Sequence, residues 1–590
     1  MNHLKRLLPY ISRYKYLFWG GMAGLLIARV FEALIPLYLR DAIDTIATGQ
    51  TELLAPTLSI LGCVFGRFMS IVLSRRLIRR IGVAISYDLR SRLYRHLQKQ
   101  GPAFFARFNT GDLMARAVND IQLIKQMMDN GSRTVVVLTF CATVALIFMS
   151  SLSPRLTWLI VPPLPIIIIV AYFLSKRMYK YSIVVQEGFA NISHQVQENL
   201  NGIRTIQSLV QEDEEIKRFD KINQDYASNF LEVIRTNSLL NVWMPALGAA
   251  CSVVILGYGG NAVISGEISV GTFTAFFWYL GMLLWPMRAA GDVVTLWQRG
   301  ASGAERLFEI LDYPPEIGDT PIPAAPKTIS GTLEIRDLNF SYAPGADPVL
   351  KKLNLSVKAG QTIAMLGHIG AGKSTLLKLM VRLLDPPPGT ILLDGIDIRS
   401  YPLAQIREQI VLVLQDPFLF AESLHENLTY DLPDRQTGLI WEAADAADLK
   451  ETILDLPNQL ETEVGERGVT LSGGQKQRAA LARGLIRNAP ILLLDDCFSS
   501  IDTETEETIL TRLKALRKQT TTFLISHRVS TVKNADMILV LENGSISETG
   551  SHQQLMDKGG IYARIQNLQN RHNYLLKNLE ERTKNEPADH

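Results

Sequence analysis

The stretch TIAMLGHIGAGKSTLLKLMVRLL, residues 362–384, decides the fold of the carboxy-terminal half of this chain. It passes from an apolar strand pattern through the turn GHIGAGKST, which matches GxxxxGK[ST], into an apolar helix. Glycines let backbone N–H groups surround a phosphate, and the helix N-terminus adds partial positive charge. The stretch therefore predicts a nucleotide-phosphate loop in an α/β domain. Its candidate phosphate-binding residues are Gly367, Gly370, Gly372, Lys373, Ser374 and Thr375.

A second strand pattern, ILLLDD at residues 491–496, ends in two carboxylates. An acidic residue at the carboxyl end of a strand, beside a phosphate loop, is where a Mg²⁺-bound water is held. Asp495 is the candidate for that role, and the Ser374 hydroxyl is the candidate Mg²⁺ ligand from the loop. ATP and Mg²⁺ are the expected cofactors, with Lys373 reaching the β- and γ-phosphates.

Between these two segments lies LSGGQKQRAALARGL, residues 471–485. A Ser-Gly-Gly turn that only caps a helix is the bland interpretation, but it requires the phosphate loop upstream and the aspartate strand downstream to be accidental. LSGGQ resembles the signature of ATP-binding cassette (ABC) proteins. Over nearly its whole length the chain resembles ABC exporters that fuse membrane and ATPase domains, such as bacterial multidrug and lipid-flippase half-transporters.

The resemblance implies roles for further residues, each of which taken singly is more often a plain surface side chain. Tyr342 matches the aromatic residue that stacks on adenine, Gln415 the Q-loop glutamine and metal ligand, and His527 the switch histidine. The sequences VGERG (464–468) and SSID (499–502) match the X-loop and D-loop. In this family the signature motif binds the ATP held by the other subunit of a dimer, which implies that role for Ser472, Gly473, Gly474 and Gln475.

One position departs from the family pattern. The residue after Asp495 should be a glutamate that acts as general base, but this chain has Asp496. The missing methylene retracts the carboxylate by about 1.5 Å, and a misplacement of 1 Å can cost about a hundredfold in rate. We expect the chain's own site to bind ATP well and to hydrolyse it slowly. A heterodimer with a second half-transporter that brings the glutamate is the simplest arrangement, and a homodimer is the alternative.

Six apolar stretches in the first half are long enough to cross a hydrocarbon core of about 30 Å, and the last four contain no charged residue. The predicted fold class is a membrane α-helical bundle of six transmembrane helices, the type I ABC exporter fold, plus an α/β P-loop cassette domain. The excess of Lys and Arg beside the first two spans predicts a multi-pass protein of the cytoplasmic (inner) membrane, with both termini and the ATPase domain in the cytoplasm. The predicted spans are 16–39, 53–73, 134–152, 156–174, 238–264 and 270–287.

Two segments between spans, 75–133 and 175–237, are too long for structureless loops and are mostly charged or amphipathic. We expect helices that continue into the cytoplasm and turn back, as plain solvated hairpins or as transmission rods. The stretches 108–121 and 199–209 resemble the two coupling-helix regions of the exporters. That resemblance favours the second interpretation.

Composition sets the remaining limits. The net charge of +2 over 590 residues does not indicate a nucleic-acid-binding surface. The four cysteines lie far apart, with no pair at metal-ligand spacing, and we expect them to be small buried residues. A proline-rich change of composition after Asp312 marks a linker. The predicted domains are a transmembrane domain (1–311), a linker (312–330), a cassette domain (331–570) and a polar tail (571–590).

Charges inside the predicted spans are expensive in lipid. Arg29, Glu32 and Arg67 either contact substrate or neutralise one another, and aromatic residues either line a drug cavity or anchor the interfaces. The expected partners are membrane lipids and an amphipathic small-molecule substrate, by resemblance only. The competing interpretations are a regulatory ATP-binding subunit, an importer subunit and a homodimeric lipid or peptide exporter. The aromatic residues concerned are Trp243, Phe277, Trp278, Tyr279 and Trp285.

Overall fold

The structure, a computed structural model, describes residues 2–50, 52–160, 162–319, 328–343, 345–465, 471–516 and 519–571. The chain divides into two compact units. The first consists of Met1–Gln98 and Phe108–Tyr313, and the second of Lys99–Arg107 and Pro314–His590. The segment Lys99–Arg107 was expected within the transmembrane domain, but its contacts place it in the second unit. One such contact joins the Ala103 N–H to Glu316 Oε2 at 3.3 Å.

The first unit is entirely helical among the described residues. Proline and glycine interrupt it at few points, and five of its helices, of 33 to 44 residues, far exceed a membrane span. The longest has 44 residues, about 66 Å at 1.5 Å per residue. Its α-helices are Asn2–Lys5, Leu8–Arg13, Lys15–Ala47, Leu54–Leu97, Thr110–Ala115, Ile121–Gln126, Ser132–Leu152, Pro154–Ile160, Pro163–Asn201, Ile203–Ser208, Glu212–Val254, Gly260–Ile264 and Val270–Leu311, with π-helical turns at Arg116–Asp120, Met127–Gly131 and Ile255–Gly259.

Four of the described helices are long and apolar enough to cross a membrane, and they contain the predicted spans 16–39, 53–73, 134–152 and 238–264, apart from Leu53, which precedes its helix. A shorter apolar helical stretch, Val270–Leu283, begins the last predicted span. The predicted span 156–174 includes residue 161, which lies outside those described, and in the predicted span 270–287 the side chains from 284 onward lie outside those described. The four helices are Lys15–Ala47, Leu54–Leu97, Thr110–Leu152 and Glu212–Ile264.

The two helical hairpins predicted from length are present as long helices joined by short ones. In the second, the helix Ile203–Ser208 lies within the predicted stretch 199–209. In the first, the prediction of 108–121 was wrong: the short helix is Pro102–Arg107, and the predicted stretch mostly starts the returning helix. The reason is local, since Asn109 has an extended backbone (φ −66°, ψ 145°) at the N-cap of Thr110–Ala115.

The second unit contains two sheets. Strands β1 (Leu333–Phe340), β2 (Leu350–Val357), β4 (Ile391–Leu393) and β5 (Ile396–Asp397) form an antiparallel sheet in the order β2-β1-β4-β5. The strands of the other sheet are β3 (Thr362–Gly367), β6 (Ile410–Val413), β7 (Ile491–Asp495), β8 (Thr521–Ile525), β9 (Met537–Glu542) and β10 (Ser545–Gly550). They lie in the order β10-β9-β3-β8-β7-β6, and all are parallel except β10.

Helices cover these sheets and divide the apolar core. One cluster lies between the two sheets and includes Leu376 and Leu377 of the helix that follows β3. A second surrounds Gly473–Leu485 and extends to the outer face of β6 and β7. The α-helices are Pro102–Arg107, Lys373–Met380, Leu403–Gln409, Leu424–Leu428, Thr437–Ala446, Lys450–Leu454, Gly473–Leu485, Thr503–Leu516, Val529–Val532 and His552–Lys558, with 3₁₀ turns at Ile398–Ser400 and Gln459–Glu461 and further helix at 561–571.

Because β3, β6, β7 and β8 are parallel, their carboxyl ends lie at one edge of the sheet. Ligands of open α/β sheets bind at that edge. The chain places the phosphate loop after β3, Gln415 after β6, Asp495 and Asp496 at the end of β7, and His527 after β8. The topology thus assembles residues that are more than 100 positions apart in the sequence.

Candidate active site

The phosphate loop joins β3 to the helix Lys373–Met380. Gly372 is the N-cap and has φ 94°, and a Cβ there would lie 2.6 Å from Leu350 Cδ2, so a side chain is excluded by both conformation and space. Lys373 is 7% exposed, and its Nζ donates to the carbonyl oxygens of Gly367 (2.7 Å) and His368 (2.9 Å). Burial lowers the pKa of Lys373, which the nearby Asp496 and Asp495 partly offset.

Ser374 and Asp495 meet at the mouth of this loop. The Ser374 hydroxyl donates to Asp495 Oδ1 at 2.8 Å, and Asp495 is 3% exposed. Burial raises the pKa of Asp495, although the bond from Ser374 and the charges of two lysines oppose that rise. Both groups are oxygen ligands of the kind that Mg²⁺ takes, and no group of three or more His, Cys, Asp or Glu arranged to hold a metal ion occurs among the described residues. A cation here would complete its shell with water and phosphate oxygens, as Mg²⁺ ordinarily does.

Asp496 is held by its backbone and by its side chain. It has a left-handed φ of 45°, and its N–H donates to the Ile525 carbonyl at 3.1 Å. Its Oδ2 accepts from Gln415 Nε2 at 3.3 Å. Burial raises the pKa of Asp496, and the opposing charge of His527 lowers it. Gln415, Asp496 and His527 therefore lie close together, and Gln415 bonds to Asp496 instead of to the Ser374–Asp495 pair.

Tyr342 lies beside the helix of the phosphate loop. Its hydroxyl is 2.8 Å from Thr375 Oγ1, and its ring packs edge-on against Phe340. The residue is still 57% exposed, so most of the ring is available to a planar base.

The signature residues begin the helix Gly473–Leu485. Ser472 is its N-cap in a capping box, in which the Gln475 N–H donates to Ser472 Oγ (3.3 Å) and the Ser472 N–H to Gln475 Oε1 (2.8 Å). A Cβ at Gly474 would lie 2.8 Å from the Ser500 carbonyl oxygen, so glycine permits this close approach of the D-loop. In the part of the chain that the structure describes, no hydrogen bond joins 471–475 to the phosphate loop. Ser472 and Gly473 are exposed.

Known protein families cover both units. The family described as "ABC transporter transmembrane region" matches residues 18–287, and "ABC transporter" matches residues 350–499. The chain belongs to the ABC transporter family. It has the arrangement that fuses membrane region and ATPase, so this transporter is an ATP hydrolase coupled to transport and is embedded in a membrane by several helices.

Individual relatives extend over the whole transporter. An "Uncharacterized ABC transporter ATP-binding protein YknU" of Bacillus subtilis (strain 168) is 32% identical over 576 residues, 97% of this chain and 98% of the relative. An "ATP-dependent lipid A-core flippase" of Syntrophus aciditrophicus (strain SB) is 35% identical over 580 residues, 96% and 95% of the two chains. The structure of a bacterial Atm1-family ABC exporter with ATP bound has a TM-score of 0.75 at 26% identity and covers 95% of this chain and 98% of that one.

Sequence reasoning missed Gln477. This buried side chain of the signature helix donates from Nε2 to Ser499 Oγ (2.9 Å) and to the Gln415 carbonyl (3.5 Å), and its Oε1 accepts from the Ser500 N–H (2.9 Å). It joins the signature helix, the Q-loop and the D-loop of the transporter. The available signal was its position four residues before Leu481, on the face of the helix that is otherwise apolar.

Two further loops were predicted from the family pattern. Of the X-loop 464–468, the N–H of Val464 donates to the Glu422 carbonyl at 3.0 Å, and residues 466–468 lie outside those described. In the D-loop 499–502, Asp502 Oδ1 accepts from the Thr505 N–H at 2.9 Å and so caps the helix Thr503–Leu516. The D-loop is therefore anchored at both ends, to Gln477 and to the following helix.

Proposed function

We propose that this chain is one half of a dimeric exporter that uses ATP to move amphipathic, lipid-like or drug-like compounds out across the cytoplasmic membrane. The observation that carries the proposal is the separation of the signature from the phosphate loop. Ser472 is exposed at the N-terminus of its helix and makes no hydrogen bond to residues 367–375 of its own unit. A nucleotide sandwiched by both motifs then needs a second chain, and the helix N-terminus suits its γ-phosphate.

The chain's own loop supplies the first half of such a site. Lys373 is positioned to exchange its bonds to two loop carbonyls for bonds to phosphate, and the ring of Tyr342 is free to stack on adenine. Ser374, Asp495 and Gln415 would hold Mg²⁺, which when bound neutralises charge that develops on the phosphates. The Ser374–Asp495 bond of 2.8 Å already brings two of these oxygens together.

Hydrolysis at this site is proposed to be slow, because Asp496 replaces the glutamate of the family pattern. Its carboxylate is shorter by one carbon–carbon bond and is held back by Gln415 at 3.3 Å. The intact signature would complete the competent site of a partner subunit that carries the glutamate, which favours a heterodimer. A homodimer with two Asp496 sites is the other arrangement, and a subunit that binds ATP only as a regulator is the second candidate function that Asp496 favours.

Transport would follow from closure of the two cassettes on ATP. Closure brings each signature onto the partner's phosphate loop, and the short helices at the ends of the cytoplasmic hairpins would transmit it to the membrane bundle. The bundle then changes from inward-facing to outward-facing, and hydrolysis resets it. The rod-like helices Leu54–Leu97 and Glu212–Val254, of 44 and 43 residues, suit the transmission of such a movement.

The proposed orientation places both termini, the cassette and the hairpins in the cytoplasm of the cell, and the short turns on the outside. A cysteine introduced at Gly266, which has open space around its Cα, should react with an impermeant thiol reagent applied to intact cells. A cysteine at Asn109 should not react. Labelling at Asn109 without permeabilisation would contradict this topology.

To test the proposed function, a tagged form of the chain is purified from its native membrane. A heterodimer should co-purify with one further ABC half-transporter in equal amount, and the pair in proteoliposomes should accumulate an amphipathic dye only with ATP. A Lys373→Ala chain with the same partner is the matched control. ATP hydrolysis without accumulation of any of a panel of amphiphiles would contradict export and favour the regulatory function.

A further inference from the structure

The helical unit contains a cavity of about 630 Å³, a size typical of small-molecule sites. Four of its helices line it: Lys15–Ala47, Leu54–Leu97, Ser132–Leu152 and Val270–Leu311. The first two pack closely, since the Ser74 hydroxyl donates to the Gly21 carbonyl at 2.6 Å and a Cβ at Gly24 would lie 3.4 Å from Ser74 Cβ. This close packing brings the charged residues of both helices next to one another in the lining of the cavity.

Five of the lining residues are charged, and four of them are arginines. Glu32 is the one carboxylate, and it pairs with Arg29 and, at 3.0 Å, with Arg67. Arg75 and Arg133 also line the cavity, and no described carboxylate lies within 4.0 Å of either. The lining therefore has an excess of three positive charges.

Mutual neutralisation does not account for these arginines. The Nε atoms of Arg29 and Arg67 are buried and have no hydrogen-bond partner among the described residues. A buried donor without a partner costs free energy, and like charges that line one cavity repel one another. An anionic ligand would satisfy the donors and the charge together, and guanidinium groups suit phosphate because they offer paired donors in one plane.

Apart from Thr134, the remaining wall is apolar. Leu25, Val137, Phe277, Trp278 and Met282 line it. Of the other aromatic residues proposed from sequence, Tyr279 is fully buried and donates to the Ala33 carbonyl at 2.7 Å, so it belongs to the core. Trp243 does not line the cavity, and the side chain of Trp285 lies outside those described.

We propose that this cavity binds an anionic amphiphile, with a phosphate-class head group on the arginines and an apolar body against Phe277 and Trp278. The inference rests on the proposed export function and narrows its substrate class. A neutral lipid would leave the arginine donors unsatisfied, and a cationic drug would be repelled by the excess charge. The head group can belong to a membrane phospholipid or to a water-soluble amphiphile, because the chemistry of recognition is the same.

The test is equilibrium binding to the purified full-length dimer, without nucleotide, in nanodiscs of phosphatidylcholine. The probes are lysophosphatidic acid and lysophosphatidylcholine with the same acyl chain, and inorganic phosphate. We expect lysophosphatidic acid to bind at least about tenfold more tightly than lysophosphatidylcholine, since a hydrogen bond to a charged group is worth that factor. Phosphate alone should bind more weakly than lysophosphatidic acid, because it lacks the apolar body.

Variants assign the binding to the cavity. Arg75→Gln and Arg133→Gln should each weaken lysophosphatidic acid binding by about tenfold and leave lysophosphatidylcholine unchanged, and Arg75→Lys should retain much of the affinity. Arg76→Gln is the matched control, because it removes the same charge one residue along, outside the cavity lining. Equal affinity for the two lipids, or equal effects of Arg75→Gln and Arg76→Gln, would overturn the inference.

Two further arms separate the possible outcomes. Phosphatidylglycerol added to the nanodiscs should compete with lysophosphatidic acid if membrane lipids reach the cavity, and should not if the ligand enters from water. Binding is measured without ATP, so a chain that proves to be a regulator and not an exporter would still show the preference. Conversely, ATP-driven transport of cationic dyes with no lipid preference would leave the export function standing and remove this inference.

Discussion

Asp496→Glu is the substitution that tests the catalytic asymmetry most directly. In the structure Asp496 is 9% exposed, and its carboxylate reaches only as far as Gln415 Nε2, at 3.3 Å. One further methylene advances the carboxylate by about 1.5 Å. Because a misplacement of 1 Å can cost about a hundredfold, the substitution can recover up to about a hundredfold, or about 2.7 kcal/mol of the barrier.

The backbone opposes part of this gain. Asp496 has a φ of 45°, in the left-handed region that aspartate adopts more readily than glutamate. A longer side chain there costs about 1 kcal/mol, which lowers stability and loosens the carboxylate. We therefore expect the turnover of this site to rise by at least about tenfold, since a loss of about 1 kcal/mol from a hundredfold gain leaves about twentyfold.

The assay must isolate this chain's site. Ser472→Ala does so, because the signature of this chain would complete only the partner's site. In that background, phosphate release by the purified dimer should rise at least about tenfold with Asp496→Glu and fall to background with Asp496→Asn. If Asp496→Glu binds ATP as the parent does but hydrolyses it no faster, the short side chain is not what limits the site.

Three further experiments test the assignments independently. Lys373→Ala should abolish photolabelling of this chain by an ATP analogue, since Lys373 is the cation of the loop; labelling at parental affinity would contradict the assignment. In a heterodimer, Ser472→Ala should reduce steady-state hydrolysis severely and Asp496→Asn only modestly, whereas in a homodimer Asp496→Asn would remove nearly all of it. Gln477→Leu leaves the Ser500 N–H without its acceptor at a cost of about 1–3 kcal/mol and should lower the Tm of the cassette by several degrees, with Lys476→Leu as a control that should not.

The nucleotide edge could be predicted from the sequence because parallel strands impose it. Once GHIGAGKST and ILLLDD are placed after strands of one sheet, the loop and both carboxylates must share an edge. The separate capping role of Ser472 was also visible, since Ser followed three residues later by Gln is a capping box. These features follow from the order of strand, turn and helix patterns along the chain, which can be read directly from the sequence.

Other features depend on contacts through space, which local patterns do not contain. The turn of the first hairpin was placed too late because 108–121 was chosen by its resemblance to a coupling-helix region, whereas Asn109 in fact caps the start of the returning helix. The excess charge of the cavity was hidden because Arg75 was counted as a positive flank of the second span and Arg133 was given no role, and only the packing of four helices brings them beside Arg29 and Arg67. The left-handed backbone of Asp496 has no signal in its neighbours.

The contacts of Gln477 lead to one more consequence. Its three bonds connect the helix that begins at Ser472 with the backbone of Gln415, whose side chain holds Asp496. A nucleotide phosphate bound at the Ser472 end of this helix and the Asp496 carboxylate of this chain's own site would thus lie at the two ends of one network of hydrogen bonds. Such a network couples two sites only if its members have two arrangements. If the members of this network have two arrangements, the effects of Gln477→Leu and Asp496→Glu on ATP turnover will not be additive. Independent sites would give additive changes in the free energy of activation.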